Sequence, residues 1–156
     1  MSNVLVFGHL NPDNDAIMSA VVLSQLLNQV GYQGNTYEAR RLGPLPAESE
    51  KLLAEVGVAE PELLESIPAS DEPQKVLLTD HNEAGQSVEG LENAQIAGVV
   101  DHHRFGGFTT AGPLHIIALP WGSSCSIVAK LFDVLGVEPT KEQAKLLLSA
   151  MMTDTL

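Results

Sequence analysis

Three groups of imidazole and carboxylate side chains stand out in the sequence. The first comprises His9, Asp13 and Asp15, the second is Asp80, and the third is the triplet Asp101-His102-His103. Mixed nitrogen and oxygen ligands of this kind suit Mn²⁺, Co²⁺ or Zn²⁺, whereas Ca²⁺ takes oxygen ligands only. The residue types therefore favour a site for divalent transition-metal ions.

The number of carboxylates indicates more than one ion. Carboxylates packed together repel one another, and burying them unpaired is costly, so divalent cations resolve the conflict. An excess of carboxylates suggests two ions, about 3.5–4 Å apart, that share a bridging ligand, activate water and stabilise an in-line displacement at phosphorus. A structural zinc site would be richer in cysteine, and this sequence has only Cys125. We therefore expect two-metal hydrolysis at phosphorus.

The segments that precede these groups explain how they could meet. Each group follows an apolar run typical of a buried strand: Val4–Phe7, Lys75–Thr79 and Ile96–Val100. After the first group, Ala16–Val30 has its apolar residues on one face of a helix. In a parallel sheet the carboxyl ends of the strands lie along one edge, where ligands gather. Residues far apart in sequence are therefore expected to become neighbours.

The remaining segments continue the alternation of strands and helices. Further strands are predicted over Gly34–Ala39 and Leu114–Leu119, and further helices over Ala47–Val56, Pro61–Ile67, Ser123–Leu135 and Thr140–Met152. The last helix opens with a capping-box pattern. The alternation predicts an α/β fold, with a mostly parallel β-sheet and helices on both faces. Residues 1–156 are expected to form one domain.

Composition excludes several classes of protein. The formal net charge of −12 argues against binding nucleic acid, which needs clustered Lys and Arg. No apolar run approaches the roughly 20 residues that cross a bilayer, and the N-terminus lacks the pattern of a secretory signal. A single cysteine fits a reducing compartment. We expect a cytoplasmic protein that binds neither nucleic acid nor membranes.

Several candidate residues also have simpler interpretations. Asp13 could act only as the N-cap of the first helix. His81 is expected to point away from the carboxylate cluster. Arg40-Arg41 could bind phosphate, although adjacent arginines more often form surface ion pairs. Arg104, directly after the two histidines, is the better candidate for an anion contact.

Several motifs carry a resemblance to a known family. Asp101-His102-His103 is the triad that names the DHH phosphoesterases. The stretch Gly8–Asp15 resembles the first metal-binding motif of family II, manganese-dependent inorganic pyrophosphatases. Arg41-Leu42-Gly43, Asp80-His81-Asn82-Glu83, and Leu148-Ser149-Ala150 with Asp154 resemble the same family, in order and at matching spacing. Asn14 departs from the pattern, because the family often has Thr there.

The resemblance implies roles for individual residues. One ion would be held by His9, Asp13 and Asp80, and the other by Asp15, Asp80, His102 and Asp154. Asp80 would bridge the two ions. His103 would donate to the substrate phosphate, and Arg104 would make a further phosphate contact. Asp101 would orient its neighbours. Asp80, His103 and Asp101 would form the catalytic set.

The resemblance also implies an activity and an assembly. The family hydrolyses pyrophosphate to two phosphates with water activated between two Mn²⁺ ions, for which Co²⁺ or Mg²⁺ can substitute. Its Rossmann-like DHH domain dimerises, so a homodimer is expected. The family's C-terminal substrate-clamping domain has no counterpart in residues 1–156, so impaired turnover is expected. Two alternatives stay open: a DHH phosphoesterase acting on short oligonucleotides or nucleoside bisphosphates, and a non-catalytic metal-binding dimerisation module.

Overall fold

The computed structural model describes the backbone of residues 1–154 and the side chains as far as Thr153. Within that part of the chain, six strands form one sheet in the order β3-β2-β1-β4-β5-β6. All neighbouring strands are parallel. The strands are β1 Asn3–Phe7, β2 Thr36–Arg41, β3 Glu62–Leu63, β4 Lys75–Thr79, β5 Gln95–Asp101 and β6 His115–Ala118. The α/β class and the parallel sheet are therefore confirmed.

Four α-helices cover one face of the sheet. They are α1 Asn14–Val30, α2 Ala47–Val56, α3 Ser124–Val134 and α4 Lys141–Asp154. Val4 and Val6 of β1 belong to the same core cluster as residues from all four helices, such as Leu26, Leu53, Ile127 and Leu146. Side chains from all four helices therefore meet in one core on this face of the sheet.

The opposite face has a different cover. Leu5 and Phe7 of β1 pack there with Ile67, Val88 and Leu91, which come from loops and the ends of short 3-10 helices. Those 3-10 helices span Ala84–Gln86 and Leu91–Asn93. The expectation of helices on both faces is thus met by α-helices on one face and only by 3-10 helices on the other. Because both faces are covered, the strands read as continuous apolar runs.

The predicted helix over Pro61–Ile67 is wrong. Glu62 and Leu63 instead form β3, paired with Arg40 and Arg41 at the edge of β2. The Leu64 N–H donates to the Arg41 carbonyl, continuing the same pairing. A segment this short cannot meet the cost of nucleating a helix on its own, whereas the edge of β2 offers hydrogen bonds at once. Hydrogen bonding to β2 therefore decides the conformation of this segment, although its apolar spacing is helical.

The other predicted elements appear with small shifts at their ends. Gly31 ends α1 with a φ of 63°, as expected for a helix C-terminus, and the helix begins at Asn14. The capping box of α4 is present: the Gln143 N–H donates to Thr140 Oγ1, and the Thr140 N–H donates to Gln143 Oε1. Among the described residues, the longest apolar helices fall short of what a membrane span requires.

Candidate metal centre

The carboxyl ends of β1, β4 and β5 are adjacent in the sheet, and the turns that leave them converge. His9 Nε2 lies 3.3 Å from Asp80 Oδ2 and 3.6 Å from Asp13 Oδ1. On the other side of Asp80, His102 Nε2 lies 3.0 Å from Oδ1. The fold therefore brings together side chains from all three of the groups found in the sequence.

Among the residues that the structure describes, two sets of side chains have potential ligand atoms close enough to hold an ion. One set contains His9, Asp13 and Asp80, and the other contains Asp80, Asp101, His102 and His103. In each set the atoms lie within 4.8 Å of one another, and Asp80 belongs to both. Asp80 is therefore the structural link between the two halves of the cluster.

The backbone of Asp80 is unusual. Its φ is 60°, in the left-handed region that non-glycine residues seldom adopt, although its N–H still donates to the Val100 carbonyl. The side chain is almost fully buried, and Ser124 Oγ donates to its Oδ1 at 3.1 Å. Left-handed non-glycine residues cost free energy and cluster at functional sites. Here the turn directs the two carboxylate oxygens toward different imidazoles.

Gly8 lets the first turn pass close to α1. A Cβ atom at this position would lie 2.6 Å from Ala16 Cβ and 2.7 Å from the Ala16 carbonyl oxygen. Real Cβ atoms do not approach that closely, so any larger residue would force β1 and α1 apart. The absence of a side chain at Gly8 therefore allows the close packing of β1 and α1 that positions His9 in the cluster.

Asp13 and Asp15 lie on the same turn but have different partners. Asp13 is half-exposed and caps α1, since its Oδ1 accepts the Ala16 N–H at 2.8 Å. The buried Asp15 carboxylate instead meets the N-terminus of α3, where it accepts the N–H groups of Ser124 at 2.8 Å and Cys125 at 2.9 Å. Alternate residues of one turn thus face different parts of the cluster.

Hydrogen bonds to carbonyl groups set the orientation of two imidazoles. His9 Nδ1 lies 2.7 Å from the Leu10 carbonyl oxygen, and His102 Nδ1 lies 2.9 Å from that of Trp121. A carbonyl oxygen can only accept, so each Nδ1 carries the proton. Each Nε2 therefore faces Asp80, in the arrangement that supports histidine ligation of metals.

The charges of the cluster are balanced by protons in the absence of metal. Asp13 and then Asp80 raise the pKa of His9 to about 11, and Asp80 raises that of His102 to about 9. Burial, followed by the charge of Asp80, raises the pKa of Asp15 to about 8. The pKa of Asp80 is held well below its usual range by His102 and His9, against the effect of burial. A divalent cation would resolve the same excess of negative charge.

Asp101 holds His103 in place. Asp101 Oδ1 accepts from His103 Nδ1 at 2.7 Å and from the backbone N–H of His102 at 2.8 Å. Its Oδ2 accepts from Asn82 Nδ2 at 2.8 Å. His103 itself is half-exposed and lines a cleft of about 390 Å³ together with His9 and Gln86. Through these contacts Asp101 can orient His102 and His103.

Other candidate residues lie outside the cluster. Arg104 is 85% exposed, and its nearest charged partner is Glu83 at 3.6 Å. Arg40 pairs with Glu38, while Arg41 donates to the carbonyls of Pro61 and Gly43. His81 is buried and points away from the cluster, as predicted. The predicted ligand Asp154 ends α4, and its side chain lies outside the described residues.

Sequence reasoning missed three polar side chains that support the site. Ser124, the first residue of α3, donates its hydroxyl to Asp80. Asn82 also donates to the Arg104 carbonyl and accepts the Gly106 N–H, so it ties two turns together. Asn14, between the two carboxylates of the first turn, is almost fully buried. The one signal for Asn82 and Asn14 was their position inside motifs that carry ligands.

Comparison with known proteins gives the class to which this fold and cluster belong. The model of the family described as "DHH family, N-terminal domain" matches residues 3–151. The chain therefore belongs to the DHH family. Its parallel sheet, with the Asp101-His102-His103 triad at the carboxyl end of β5, is that family's N-terminal domain.

Several relatives carry a more specific name. The chain is 43% identical over 156 residues to a "probable manganese-dependent inorganic pyrophosphatase" of Exiguobacterium sp. and 44% identical to one of Streptococcus agalactiae. It spans 49% of the length of each of these relatives. The chain thus corresponds to about half of the curated relatives that it matches.

Solved structures agree with this placement. A crystal structure from Methanococcus jannaschii, assigned to the family II inorganic pyrophosphatases, superposes with a TM-score of 0.79 at 36% identity. The match covers 98% of this chain and 48% of that one. An exopolyphosphatase-related protein of Bacteroides fragilis shares the fold, with a TM-score of 0.69 at 20% identity.

Proposed function

We propose that this chain is the metal-binding part of a manganese-dependent inorganic pyrophosphatase, which hydrolyses pyrophosphate to two phosphates. The observation that carries the proposal is the position of Asp80, whose two carboxylate oxygens face His9 and His102. A carboxylate shared between two ligand sets can hold two ions close together, as two-metal hydrolysis needs. The names of the relatives support manganese as the metal and pyrophosphate as the substrate.

The proposed ligands divide into two sets. His9, Asp13 and Asp80 would hold one Mn²⁺, while Asp15, Asp80, His102 and Asp154 would hold the other. The donor atoms suit the metal, because imidazole nitrogen and carboxylate oxygen are both accepted by Mn²⁺ and Co²⁺, and Mg²⁺ accepts the carboxylates. When bound, such ions supply an activated water and neutralise charge on the phosphate.

His103 is the proposed donor to the substrate. Its Nδ1 is held by Asp101, so its Nε2 faces away from that carboxylate and toward the cleft that His103 lines with His9. His103 Nε2 would then donate to a phosphate oxygen of the substrate. Arg104 follows in the same loop, and its exposed guanidinium would add a second phosphate contact.

The proposed assembly is a cytoplasmic homodimer. β6 lies at the edge of the sheet, and its residue Ile116 is 47% exposed. An open strand edge with an exposed apolar side chain is suited to pairing with a second copy. We propose no role for nucleic acid or membranes.

The full-length relatives are about twice as long as this chain. We propose that their additional part contributes phosphate contacts worth roughly 1.5–3 kcal/mol each. Residues 1–156 alone would therefore turn over pyrophosphate more slowly.

Phosphate release from pyrophosphate, measured with Mn²⁺ and the 156-residue chain, tests the proposal. Asp80→Asn is the matched control, since it removes the bridging charge with little change in shape. The proposal expects release that exceeds the control and that exceeds any cleavage of short oligonucleotides or nucleoside bisphosphates. A preference for those substrates would identify a different DHH phosphoesterase. Tight Mn²⁺ binding with release no greater than the control would identify a non-catalytic module.

A further inference from the structure

The side chain of Asn14 connects three helices at the candidate metal centre. Asn14 is the first residue of α1 and lies between Asp13 and Asp15. Its Nδ2 donates to Ser149 Oγ on α4 at 2.9 Å, and its Oδ1 accepts from Ser49 Oγ on α2 at 2.8 Å. Asn14 and Ser49 are almost fully buried. The amide therefore has a donor and an acceptor engaged on opposite sides.

Among the described residues, the last turns of α4 are held by apolar packing and by a few polar contacts. Leu147 and Ala150 are buried, but Leu148 and Met152 are more than half exposed. The polar contacts of Lys145 with Glu55 and of Thr153 with Glu48 join exposed side chains, which contribute little. By contrast, the Asn14–Ser149 hydrogen bond has a buried donor, whose loss would leave that donor unsatisfied.

We propose that Asn14 is a positioning residue that docks the C-terminal end of α4 onto the first metal turn. The inference rests on the proposed function, because α4 ends at Asp154, a proposed ligand of the second ion. Ser149 precedes Asp154 on the same helix, so fixing Ser149 against the Asp13–Asp15 turn sets the distance between that turn and the helix end. The bond to Ser49 holds the other end of the amide against α2 and involves no atom of α4, although α2 itself contacts α4 through exposed side chains.

This difference between the two serines gives matched variants. Ser149→Ala removes the bond to α4, Ser49→Ala removes the bond to α2, and Asn14→Ala removes both. Each serine variant leaves one end of the Asn14 amide unpaired, so both should lower the urea midpoint of the metal-free chain. Ser149→Thr keeps a hydroxyl at the α4 position and serves as the conservative rescue.

Calorimetric titration with Mn²⁺ and hydrogen exchange of the metal-free chain together test the inference. Asn14→Ala and Ser149→Ala should weaken one of two Mn²⁺ sites by about tenfold, the lower range for residues that support ligands, and should speed amide exchange in residues 147–153. Ser49→Ala and Ser149→Thr should bind both ions as the unmodified chain does.

Two results would overturn the inference and leave the proposed function standing. One is an unmodified chain with two tight sites and a Ser149→Ala variant that matches it in affinity and exchange. The other is a Ser49→Ala variant that loses as much affinity as Ser149→Ala, because the effect would then follow general destabilisation. An unmodified chain that binds no Mn²⁺ would overturn both the proposed function and the positioning role.

Discussion

The Nε2 atom of His102 lies 3.0 Å from Asp80 Oδ1, and its Nδ1 proton is directed at the Trp121 carbonyl. The neighbouring Asp80 raises the pKa of His102 to about 9, so the imidazole is protonated on both nitrogens at pH 7. A metal ion can bind Nε2 only after that proton leaves. Proton and metal therefore compete for the same atom.

Mn²⁺ binding at pH 7 should release protons, and its affinity should rise between pH 7 and 9. His9, whose pKa is raised to about 11 chiefly by Asp13 and Asp80, contributes a second proton by the same argument. Calorimetry in two buffers of different ionisation enthalpy measures the number of protons released. A binding enthalpy that is independent of the buffer would contradict the assignment of these nitrogens as ligands.

The stability of the metal-free fold should have the opposite pH dependence: it should fall as the pH rises. A histidine whose folded pKa lies above 6.5 stabilises the fold below that pH, and the contribution is lost as pH rises toward the folded value. For His102 this window runs from about 6.5 to 9. The urea midpoint of the chain in chelator should therefore fall over this interval more for the unmodified chain than for His102→Gln.

His81 should make the fold sensitive to acid. Burial lowers its pKa to about 4, and its Nδ1 donates to the Thr79 carbonyl while Nε2 accepts from the Ser87 hydroxyl. Protonation would remove that acceptor. Between pH 6.5 and 4 the unfolded chain binds a proton that the folded chain does not, so about 2–3 kcal/mol of stability is lost by pH 4.5.

His81→Gln provides the comparison, because it keeps polar atoms in the pocket but does not titrate. The variant should be less stable at pH 7, yet its urea midpoint should fall less between pH 7 and pH 4.5. Equal falls for the two proteins would show that His81 does not titrate in this range.

Gly8→Ala should destabilise the fold and disturb the metal turn together. The added methyl would lie within 3 Å of three atoms of Ala16, so β1 and α1 must separate. Overpacking of this kind costs about 1–3 kcal/mol. Urea unfolding measures the loss, with Gly112→Ala as control, because nothing lies within 4 Å of a methyl group there. Equal stability of the two variants would contradict the steric role of Gly8.

The sequence predicted the parts of this site that depend on strand ends. Apolar runs followed by Asp80 or by Asp101-His102-His103 placed both groups at the carboxyl edge, because a parallel sheet leaves no other arrangement. Local patterns also predicted α1 and the capping box of α4. These features follow from short-range spacing, which a single sequence displays directly.

The features that the sequence did not predict depend on partners that are distant in sequence. Nothing near Asp15 indicates that its carboxylate meets the N-terminus of α3, 109 residues further along the chain. Pro61–Ile67 shows helical spacing, but the edge of β2 decides its conformation. Asparagine is common in turns, so nothing in the sequence distinguishes Asn14 and Asn82 from ordinary turn residues. Their supporting role becomes visible only in their buried hydrogen bonds. Side-chain direction is set by tertiary packing, which spacing alone does not give.

Mn²⁺ titration of Asp80→Asn tests the central claim most directly. Asp13→Asn and Asp15→Asn serve as matched variants, since each carboxylate is assigned to one ion only, whereas Asp80 is assigned to both. The unmodified chain should bind two ions tightly, Asp13→Asn and Asp15→Asn should each weaken a different one, and Asp80→Asn should weaken both. Retention of one unaltered site in Asp80→Asn would contradict the shared-carboxylate account.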